Sequence, residues 1–301
     1  MKFLVTGGAG FIGSNLVEEL VRRGDEVIVV DNLSTGSLEN LEAVKDRITV
    51  VTEPCSKLLD LKIAGIDGIF HLGIPSSSPI YKNDHLLTAT AVEDFIKALE
   101  LAKRENCRMV YASSSSIYNG NPIPWKEDMT IKVTDFYTEA RYAMERMAKL
   151  YNDLFGTKSI GLRFFSVYGP HERAKKQYAN LVSQFLWEMK AGRQPVIYGD
   201  GEQTRDLTFV KDVVHACMLA MESDIGFDVF NIGKGKSYSL NELVNILNSV
   251  LGTSIDAKRI ENPVKNYVAD TLADTAKAER QLGFKATVSL KDGLNQIKDS
   301  D

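Results

Sequence analysis

Short apolar runs alternate with longer amphipathic segments through the first half of the chain. The short runs predict strands and the longer segments predict helices, because apolar residues recur in them with the periods of these two structures. The predicted strands lie at 3–6, 26–30, 48–52, 68–72, 108–112 and 159–165. The predicted helices lie at 11–23, 91–106 and 137–155, and Gly24 and Gly156 end the first and the last of them. This alternation indicates right-handed βαβ units and a doubly wound parallel sheet with helices on both faces.

The pattern changes after Phe165, where turn-rich stretches replace the regular alternation. Further helices are predicted only at 239–251 and near 289–298. We therefore predict an α/β protein with two domains. The first is a Rossmann-type domain at 1–165 with a returning segment near 201–225, and the second is a smaller α/β substrate-binding domain at 166–200 and 226–301.

Composition narrows the possible classes of protein. The 301 residues include 36 Lys+Arg and 40 Asp+Glu, without a basic block, so nucleic acid is not an expected partner. Cys55, Cys107 and Cys217 are odd in number and widely spaced, which implies no disulfide framework and suits a reducing cytoplasm. No apolar run approaches the roughly 18 residues of a membrane span, and a strand at residue 3 leaves no room for a signal peptide. We expect a cytoplasmic protein without a membrane partner.

A glycine-rich loop, TGGAGFIG at 6–13, joins the first predicted strand to the first predicted helix. Its glycines suit a tight turn, a close backbone approach to a pyrophosphate, and tight helix–strand packing. Asp31 ends the second strand about twenty residues later, where a carboxylate holds the ribose hydroxyls of NAD and repels the 2′-phosphate of NADP. The alternative is an ordinary strand–turn–helix joint. We predict NAD as the cofactor, bound by Gly7, Gly10, Phe11, Ile12, Asp31, Asn32, Ser34, Thr35, Gly36, Leu72, Gly73, Tyr137 and Arg141.

The stretch FYTEARYAMER at 136–146 places Tyr137 and Arg141 four residues apart, on one face of a helix. A cation beside a phenol favours the phenolate, which suits a tyrosine that acts as an acid or base near neutral pH. The alternative is a tyrosine packed on the sheet beside a solvated arginine. Tyr142 and Arg146 repeat the same spacing, so chance alone can produce it.

Six motifs follow one another in order along nearly the whole chain. They are TGGAGFIG, DNLSTG (31–36), SSSSIY (113–118), the Tyr-x-x-x-basic helix, LRFFSVYGP (162–170) and GDGEQTRDLTFVKDV (199–213). With this order and spacing the sequence resembles the extended short-chain dehydrogenase/reductases that act on nucleotide sugars, above all the UDP-galactose (UDP-glucose) 4-epimerases. The resemblance implies that NAD takes a hydride from sugar C4 while a tyrosine removes the O4 proton, and that the hydride returns to the other face of the 4-keto sugar.

The resemblance assigns the catalytic tyrosine to Tyr137, since Glu145 then falls on the family's acidic position in the same helix. It assigns the Ser/Thr partner to Ser114, with Ser115 as the competing assignment. The family's lysine, four residues after the tyrosine, is Arg141 here. Arginine supplies a charge that cannot be lost. Its planar group is longer than the ammonium of lysine, so its contact with the nicotinamide ribose of NAD must be rearranged.

Residues of the second domain are assigned to the UDP-hexose substrate by the same resemblance. Arg205 is expected on the diphosphate, and Asn180 and Tyr198 along the uridine, although a core aromatic is an alternative for Tyr198. Ser114 and Ser166 are expected to contact the sugar. At the position of Ser166 the family often has an asparagine. The resemblance also predicts a second arginine on the diphosphate near residue 264. This chain has Val264 there, with Lys265 beside it.

The histidines and one lysine pair are not assigned to catalysis. The four histidines show no metal-ligand spacing, so no metal site is predicted. His71 is expected at a strand end beside the cofactor. His171 and the Lys175–Lys176 pair are expected to be solvated loop residues, with contact to a phosphate as the alternative.

Three hypotheses about the function stay open at this point. Ser115 and Ser116 stand where dehydratases and decarboxylases of this family commonly carry a carboxylate, which favours epimerisation. UDP-glucuronate and UDP-N-acetylhexosamine 4-epimerases are the enzymatic alternatives, and a non-catalytic NAD or nucleotide-sugar binding protein is the third. Because the helices at 91–106 and 137–155 correspond to the family's dimer-forming pair, we expect a homodimer.

Overall fold

The computed structural model describes residues 1–263 and 267–299. The strands are β1 (Lys2–Thr6), β2 (Glu26–Val30), β3 (Ile48–Val51), β4 (Gly68–His71), β5 (Arg108–Ser114), β6 (Ser159–Phe164), β7 (Val167–Tyr168), β8 (Val196–Tyr198), β9 (Thr204–Asp206), β10 (Thr208–Phe209), β11 (Phe227–Ile232), β12 (Ser237–Ser239) and β13 (Lys258–Ile260). The α-helices are α1 (Phe11–Arg22), α2 (Ser78–Asn83), α3 (Leu87–Glu105), α4 (Phe136–Phe155), α5 (Leu181–Lys190), α6 (Val210–Glu222), α7 (Leu240–Leu251), α8 (Ala276–Leu282) and α9 (Leu290–Ile297). Short 3₁₀ segments lie at Leu38–Arg47, Cys55–Lys57, Ser115–Tyr118 and Arg173–Tyr178.

The main sheet contains seven parallel strands in the order β11-β6-β5-β4-β1-β2-β3. β1 lies between β4 and β2, so the order reverses beside the glycine loop that follows β1. Ligands of such sheets bind outside the carboxyl ends of the strands at this switch point. The predicted doubly wound parallel sheet is confirmed.

Helices cover both faces of the sheet because each presents an apolar stripe to it. α1 and α6 pack on one face, and α3 and α4 pack on the other. The buried stripe of α4 contains Ala140, Met144 and Ala148, which are four residues apart and therefore lie on one side of the helix. Asp135 caps the first turn of α4, and Gly156 ends the helix at a φ of 70°, as predicted for its stop signal.

The segment that returns to the main sheet is longer than the predicted 201–225. α6 packs on the sheet face, and β11 then pairs with β6 at the sheet edge, so the return extends to Ile232. Asp228 and Asn231 interrupt the apolar run of β11, which hides the strand in the sequence. Asn231 is fully buried, and its side chain is satisfied there, since it accepts from the Tyr118 hydroxyl and donates to the carbonyl oxygens of Trp125 and Asp274.

The second domain has its own apolar core between α5, α7 and α9. Two small sheets flank it, antiparallel β9–β12 and parallel β8–β13. The helices predicted at 239–251 and near 289–298 are present as α7 and α9. Asp206 joins the two domains, because its buried carboxylate accepts hydrogen bonds from the amides of Lys234, Gly235 and Ala273 at 2.7, 3.0 and 3.1 Å.

The three cysteines are free and buried. Within residues 1–263 and 267–299, no helix combines the length and the apolar character that a membrane crossing requires.

Candidate active site

A cavity of about 760 Å³ is lined by the glycine loop, by the carboxyl ends of the central strands and by residues of the second domain. Its volume is typical of small-molecule and cofactor sites. The predicted cofactor, catalytic and substrate residues all line it, with the exception of Tyr198. The topology therefore brings together residues that are up to about 200 positions apart, from Gly7 to Arg205.

The glycine loop has the geometry that a dinucleotide requires. Gly7 has a φ of 70°, and a Cβ there would lie 2.6 Å from the Cα atom of Gly73. A Cβ on Gly13 would lie 2.0 Å from the carbonyl oxygen of Gly7, so α1 can approach the loop only with glycine there. Among the described residues no side chain caps the N-terminus of α1, which leaves its first turn to attract an anion.

Asp31 lies at the end of β2 beside this loop. Its carboxylate accepts hydrogen bonds from the amides of Ala9 and Leu33, at 2.9 and 2.8 Å. Burial raises the pKa of Asp31, and the amide hydrogen bonds oppose that rise. Together with the open first turn of α1, this carboxylate fits NAD, since its lone pairs can accept from ribose hydroxyls.

Tyr137 lies in the first turn of α4, on the wall of the cavity. Its ring is buried and packs edge-to-face against Tyr81, with 5.6 Å between the ring centroids. Burial raises the pKa of Tyr81 to about 12, so Tyr81 stays neutral while it holds the ring of Tyr137 in place.

Arg141 lies one turn after Tyr137 and is buried. Its guanidinium carbon is 4.9 Å from the centroid of the Tyr137 ring. One terminal nitrogen donates to the carbonyl oxygen of Pro75 at 2.9 Å and the other to that of Ala112 at 3.4 Å. Among the described residues the Nε atom is buried without a hydrogen-bond partner. The contacts of the guanidinium are with neutral carbonyl groups, so a positive charge remains beside the phenol.

The serine run continues from the end of β5 into a 3₁₀ turn. Ser114 is the N-cap of that turn, and its Oγ accepts from the amide of Ser116 at 3.1 Å. The hydroxyl proton of Ser114 is therefore available for a second partner. Ser113, Ser115 and Ser116 also line the cavity.

A buried ion pair anchors α4 to the sheet beneath these residues. Arg163 on β6 donates to both carboxylate oxygens of Glu145, from Nε at 2.9 Å and from Nη2 at 2.6 Å. Ser113 donates to the same carboxylate at 2.6 Å. A bidentate pair of this kind fixes the position of α4 relative to β5 and β6.

The second domain contributes Asn180 and Arg205 to the cavity. Asn180 caps α5, because its side-chain oxygen accepts from the amide of Val182 at 3.0 Å. Arg205 donates to the carbonyl oxygens of Thr204, Val268 and Ala269, at 2.7 to 2.8 Å. Its terminal nitrogens are thus bonded to backbone in this structure. Val264 and Lys265, expected near the diphosphate, lie outside the described residues.

Two predicted positions differ in the structure. Tyr198 lies on β8, opposite Ile260 of β13, and does not line the cavity, because the small β8–β13 sheet holds it away from the cavity wall. His71 is at a strand end but is fully buried and does not line the cavity, with its Nδ1 atom 2.9 Å from the Thr6 hydroxyl and its ring against Phe95. Burial lowers the pKa of His71 to about 3, so it stays neutral.

Several cavity residues carry no signal in the sequence. Lys175, expected to be a solvated loop residue, lines the cavity. Asp94 on α3 also lines it, and burial raises its pKa to about 6. A charged residue in a polar loop or on an amphipathic helix looks the same in sequence whether it faces water or a cavity. Only the packing of the two domains distinguishes these cases.

Comparison with known proteins identifies relatives that span the chain. The profile of the "NAD dependent epimerase/dehydratase family" matches residues 3–233. A Methanocaldococcus jannaschii protein named as a candidate UDP-glucose 4-epimerase is 33% identical over 98% of this chain and 96% of its own. UDP-glucuronic acid decarboxylase 1 of Arabidopsis thaliana is 33% identical over 99% of this chain and 69% of its own.

Solved structures agree with these relatives. The UDP-N-acetylglucosamine 4-epimerase of Methanobrevibacter ruminantium, in complex with UDP-N-acetylmuramic acid, has a TM-score of 0.92 at 31% identity and covers 99% of this chain and 96% of its own. The UDP-glucose 4-epimerase of Thermotoga maritima, with UDP-glucose, has the same TM-score and identity and covers 99% and 98%. The chain described here belongs to the NAD-dependent epimerase/dehydratase family, and its cofactor is NAD.

Proposed function

We propose that the protein interconverts the C4 epimers of a nucleotide sugar, with UDP-glucose and UDP-galactose as the first candidates. The observation that carries the proposal is the convergence of five residues on one cavity. Tyr137 and Ser114 line it together with Asp31 of the cofactor side and Asn180 and Arg205 of the second domain. The same cavity thus has groups for a dinucleotide, a proton transfer and a nucleotide sugar.

The proton transfer is assigned to Tyr137 and Ser114. When bound, NAD would supply the hydride acceptor and donor for the sugar carbon. As a phenolate, Tyr137 accepts the O4 proton and later gives it back, and the positive charge of Arg141, at 4.9 Å from its ring, favours the phenolate before the proton arrives and after it leaves. The Ser114 oxygen accepts from the amide of Ser116, and a hydroxyl that accepts can also donate, here to the sugar O4 or to the phenolate.

The residues around Ser114 support epimerisation over elimination or decarboxylation. Residues 113–116 and Asn119 line the cavity around Ser114, and none of them is a carboxylate. Asp135 does line the cavity, but one of its oxygens caps α4 at Thr138 and the other accepts from the Ser78 hydroxyl at 2.5 Å. Its carboxylate is therefore occupied by structural hydrogen bonds.

The names of the relatives support UDP-hexoses as a class and leave several members in competition. We expect that purified protein with NAD converts one of UDP-glucose, UDP-galactose, their N-acetyl forms or UDP-glucuronate into its C4 epimer, as resolved by NMR. Interconversion of UDP-glucose and UDP-galactose supports the first candidate. Conversion of only an N-acetyl or glucuronate pair would replace it with one of the enzymatic alternatives, and release of CO₂ from UDP-glucuronate would overturn epimerisation.

A second candidate is a non-catalytic protein that binds NAD and a nucleotide sugar. The observation in its favour is that Arg141, in the place of the family's lysine, bonds Pro75 and Ala112. The variant Arg141→Lys separates the two candidates. Natural protein that turns over, with the variant within about tenfold of it, excludes the second candidate. Turnover that arises only in the variant would establish it.

We also propose a homodimer formed through α3 and α4. Leu150, Leu154 and Phe155 on α4 are 46%, 69% and 52% exposed, which is unusual for neighbouring large apolar residues on one helix. Sedimentation at micromolar concentration is expected to give twice the chain mass. A double change, Leu150→Lys with Leu154→Lys, is expected to give monomers, and a natural chain that sediments as a monomer would contradict the proposal.

A further inference from the structure

A segment of the second half of the chain lies against the glycine loop and α1. We define it as the 170–176 segment. Asn15 of α1 donates to the carbonyl oxygen of Pro170 at 3.1 Å, and the imidazole Nε2 of His171 is 3.2 Å from a carboxylate oxygen of Glu18. Asn40 donates both to the carbonyl oxygen of His171 at 3.3 Å and to that of Ala9 in the glycine loop at 3.0 Å. The beginning of the segment is therefore held directly on the cofactor side of the cavity.

Lys175 extends from this segment into the cavity wall. Its ammonium nitrogen is 5.4 Å from the centroid of the Phe11 ring, and Phe11 is the first residue of α1. The ammonium also donates to Glu172 at 2.9 Å, and its side chain is only 16% exposed. Glu172 is held in turn by the Asn180 amide at 2.7 Å and the Ser183 hydroxyl at 2.5 Å. Lys175 thus has a fixed position although it lies in a polar loop.

The other cationic side chains of the cavity differ from Lys175 in their contacts. Among the described residues that line it, Arg141 and Arg205 donate to backbone carbonyl oxygens, and Lys82 is exposed on α2. A pyrophosphate at the first turn of α1 carries two negative charges and meets backbone amides there. An ammonium group beside Phe11 would add a positive charge to that site, and it keeps two further donors when one is bonded to Glu172.

We propose that Lys175 is a cofactor-binding residue, whose ammonium contacts the pyrophosphate of NAD and retains the cofactor under the 170–176 segment. The inference rests on the NAD-binding part of the proposed function, and it holds for either the catalytic or the non-catalytic candidate. It gives the second half of the chain a direct part in holding the dinucleotide. Loss of one charge-assisted contact of this kind is expected to weaken binding about tenfold.

The test compares Lys175→Gln with Lys176→Gln. Both variants remove one positive charge from adjacent positions, but Lys176 is exposed and does not line the cavity. We expect the purified Lys175→Gln holoprotein to release NAD about ten times faster than natural protein during timed filtration, and Lys176→Gln to release it at the natural rate. Lys175→Arg keeps the charge and is expected to release NAD within about threefold of the natural rate.

Calorimetric titration with UDP distinguishes the two diphosphates that the cavity could receive. Lys175→Gln is expected to bind UDP as natural protein does. An unchanged NAD release rate, or equal effects of the two glutamine variants, would overturn the proposal, as would weaker UDP binding without faster NAD release. Equal unfolding temperatures of the variants stripped of NAD show that folding is not the cause. Because none of these readouts needs turnover, a failure to convert any sugar would contradict the proposed activity and leave this test intact.

Discussion

Helix α4 carries two tyrosine–arginine pairs of the same spacing, which differ in almost everything except local geometry. The guanidinium carbon of Arg141 is 4.9 Å from the ring of Tyr137, and that of Arg146 is 5.0 Å from the ring of Tyr142. The first pair is buried at the cavity. The second faces outward, where Arg146 is more than half exposed and bonds Glu139 at 3.1 Å.

The difference shows that the spacing sets the contact within a pair, whereas the fold sets its chemistry. The buried stripe of α4 includes Tyr137 and Arg141, so this arginine is shielded from water, and within the part of the chain that the structure describes it donates to the carbonyl oxygens of Pro75 and Ala112 rather than to a carboxylate. Arg146 is screened by solvent and by a neighbouring anion. A charge beside a phenol has a strong effect only in the first environment.

The largest expected effect comes from removing the phenol of each pair. Tyr137→Phe is expected to lower turnover about 10³-fold, since a positioned acid–base group contributes roughly 10² to 10⁴. Tyr142→Phe is expected to retain turnover within about twofold. Steady-state rates on the substrate identified by NMR measure both, and similar losses in the two variants would show that α4 as a whole, rather than the cavity tyrosine, determines the rate.

The next effect concerns one buried and one exposed ion pair of α4. Glu145→Gln leaves Arg163 charged and uncompensated in the core, and is expected to lower the free energy of unfolding by about 3 kcal/mol. Glu139→Gln breaks the exposed pair with Arg146 and is expected to cost less than about 0.5 kcal/mol. Urea unfolding followed by circular dichroism gives both values, and equal midpoints would contradict this account of how α4 is anchored.

A smaller effect is expected from the buried arginine itself. Arg141→Met removes the charge but keeps much of the volume, and is expected to reduce turnover at pH 7 about 30-fold, which corresponds to ~2 kcal/mol. The pH at which turnover reaches half of its maximum is expected to rise, because loss of a nearby positive charge disfavours the phenolate. A pH–rate profile tests this expectation, and a uniform loss of turnover at every pH would indicate a structural role only.

The smallest effect is expected from the exposed arginine. Arg146→Met is expected to leave turnover and its pH profile unchanged, and to change the free energy of unfolding by less than about 0.5 kcal/mol. The measurement uses the same profile and the same urea series as for Arg141. A shift in the pH profile equal to that of Arg141→Met would remove the distinction between the two pairs.

The sequence predicted the parts of the protein in which a local pattern decides the structure. The parallel strands, the glycine loop and α4 depend on apolar periodicity, on glycine and on capping. The edge strand β11 was missed because Asp228 and Asn231 are polar, and their main partners, Lys277 and Tyr118, are distant in the sequence. The position of Lys175 depends on the docking of a distant segment onto α1, for which a single sequence carries no local signal. The same holds for Tyr198, whose small sheet forms only in the folded second domain.

The position of β11 also has a consequence for the order in which the protein can fold during synthesis. β6 has one neighbour, β5, until residues 227–232 leave the ribosome, so a nascent chain of about 165 residues would present an unpaired strand edge. The helix that covers that region of the sheet, α6, also comes late in the chain. The Rossmann-type domain therefore cannot complete its sheet before about three quarters of the chain has been made, and the edge of β6 stays open to incorrect pairing during that interval.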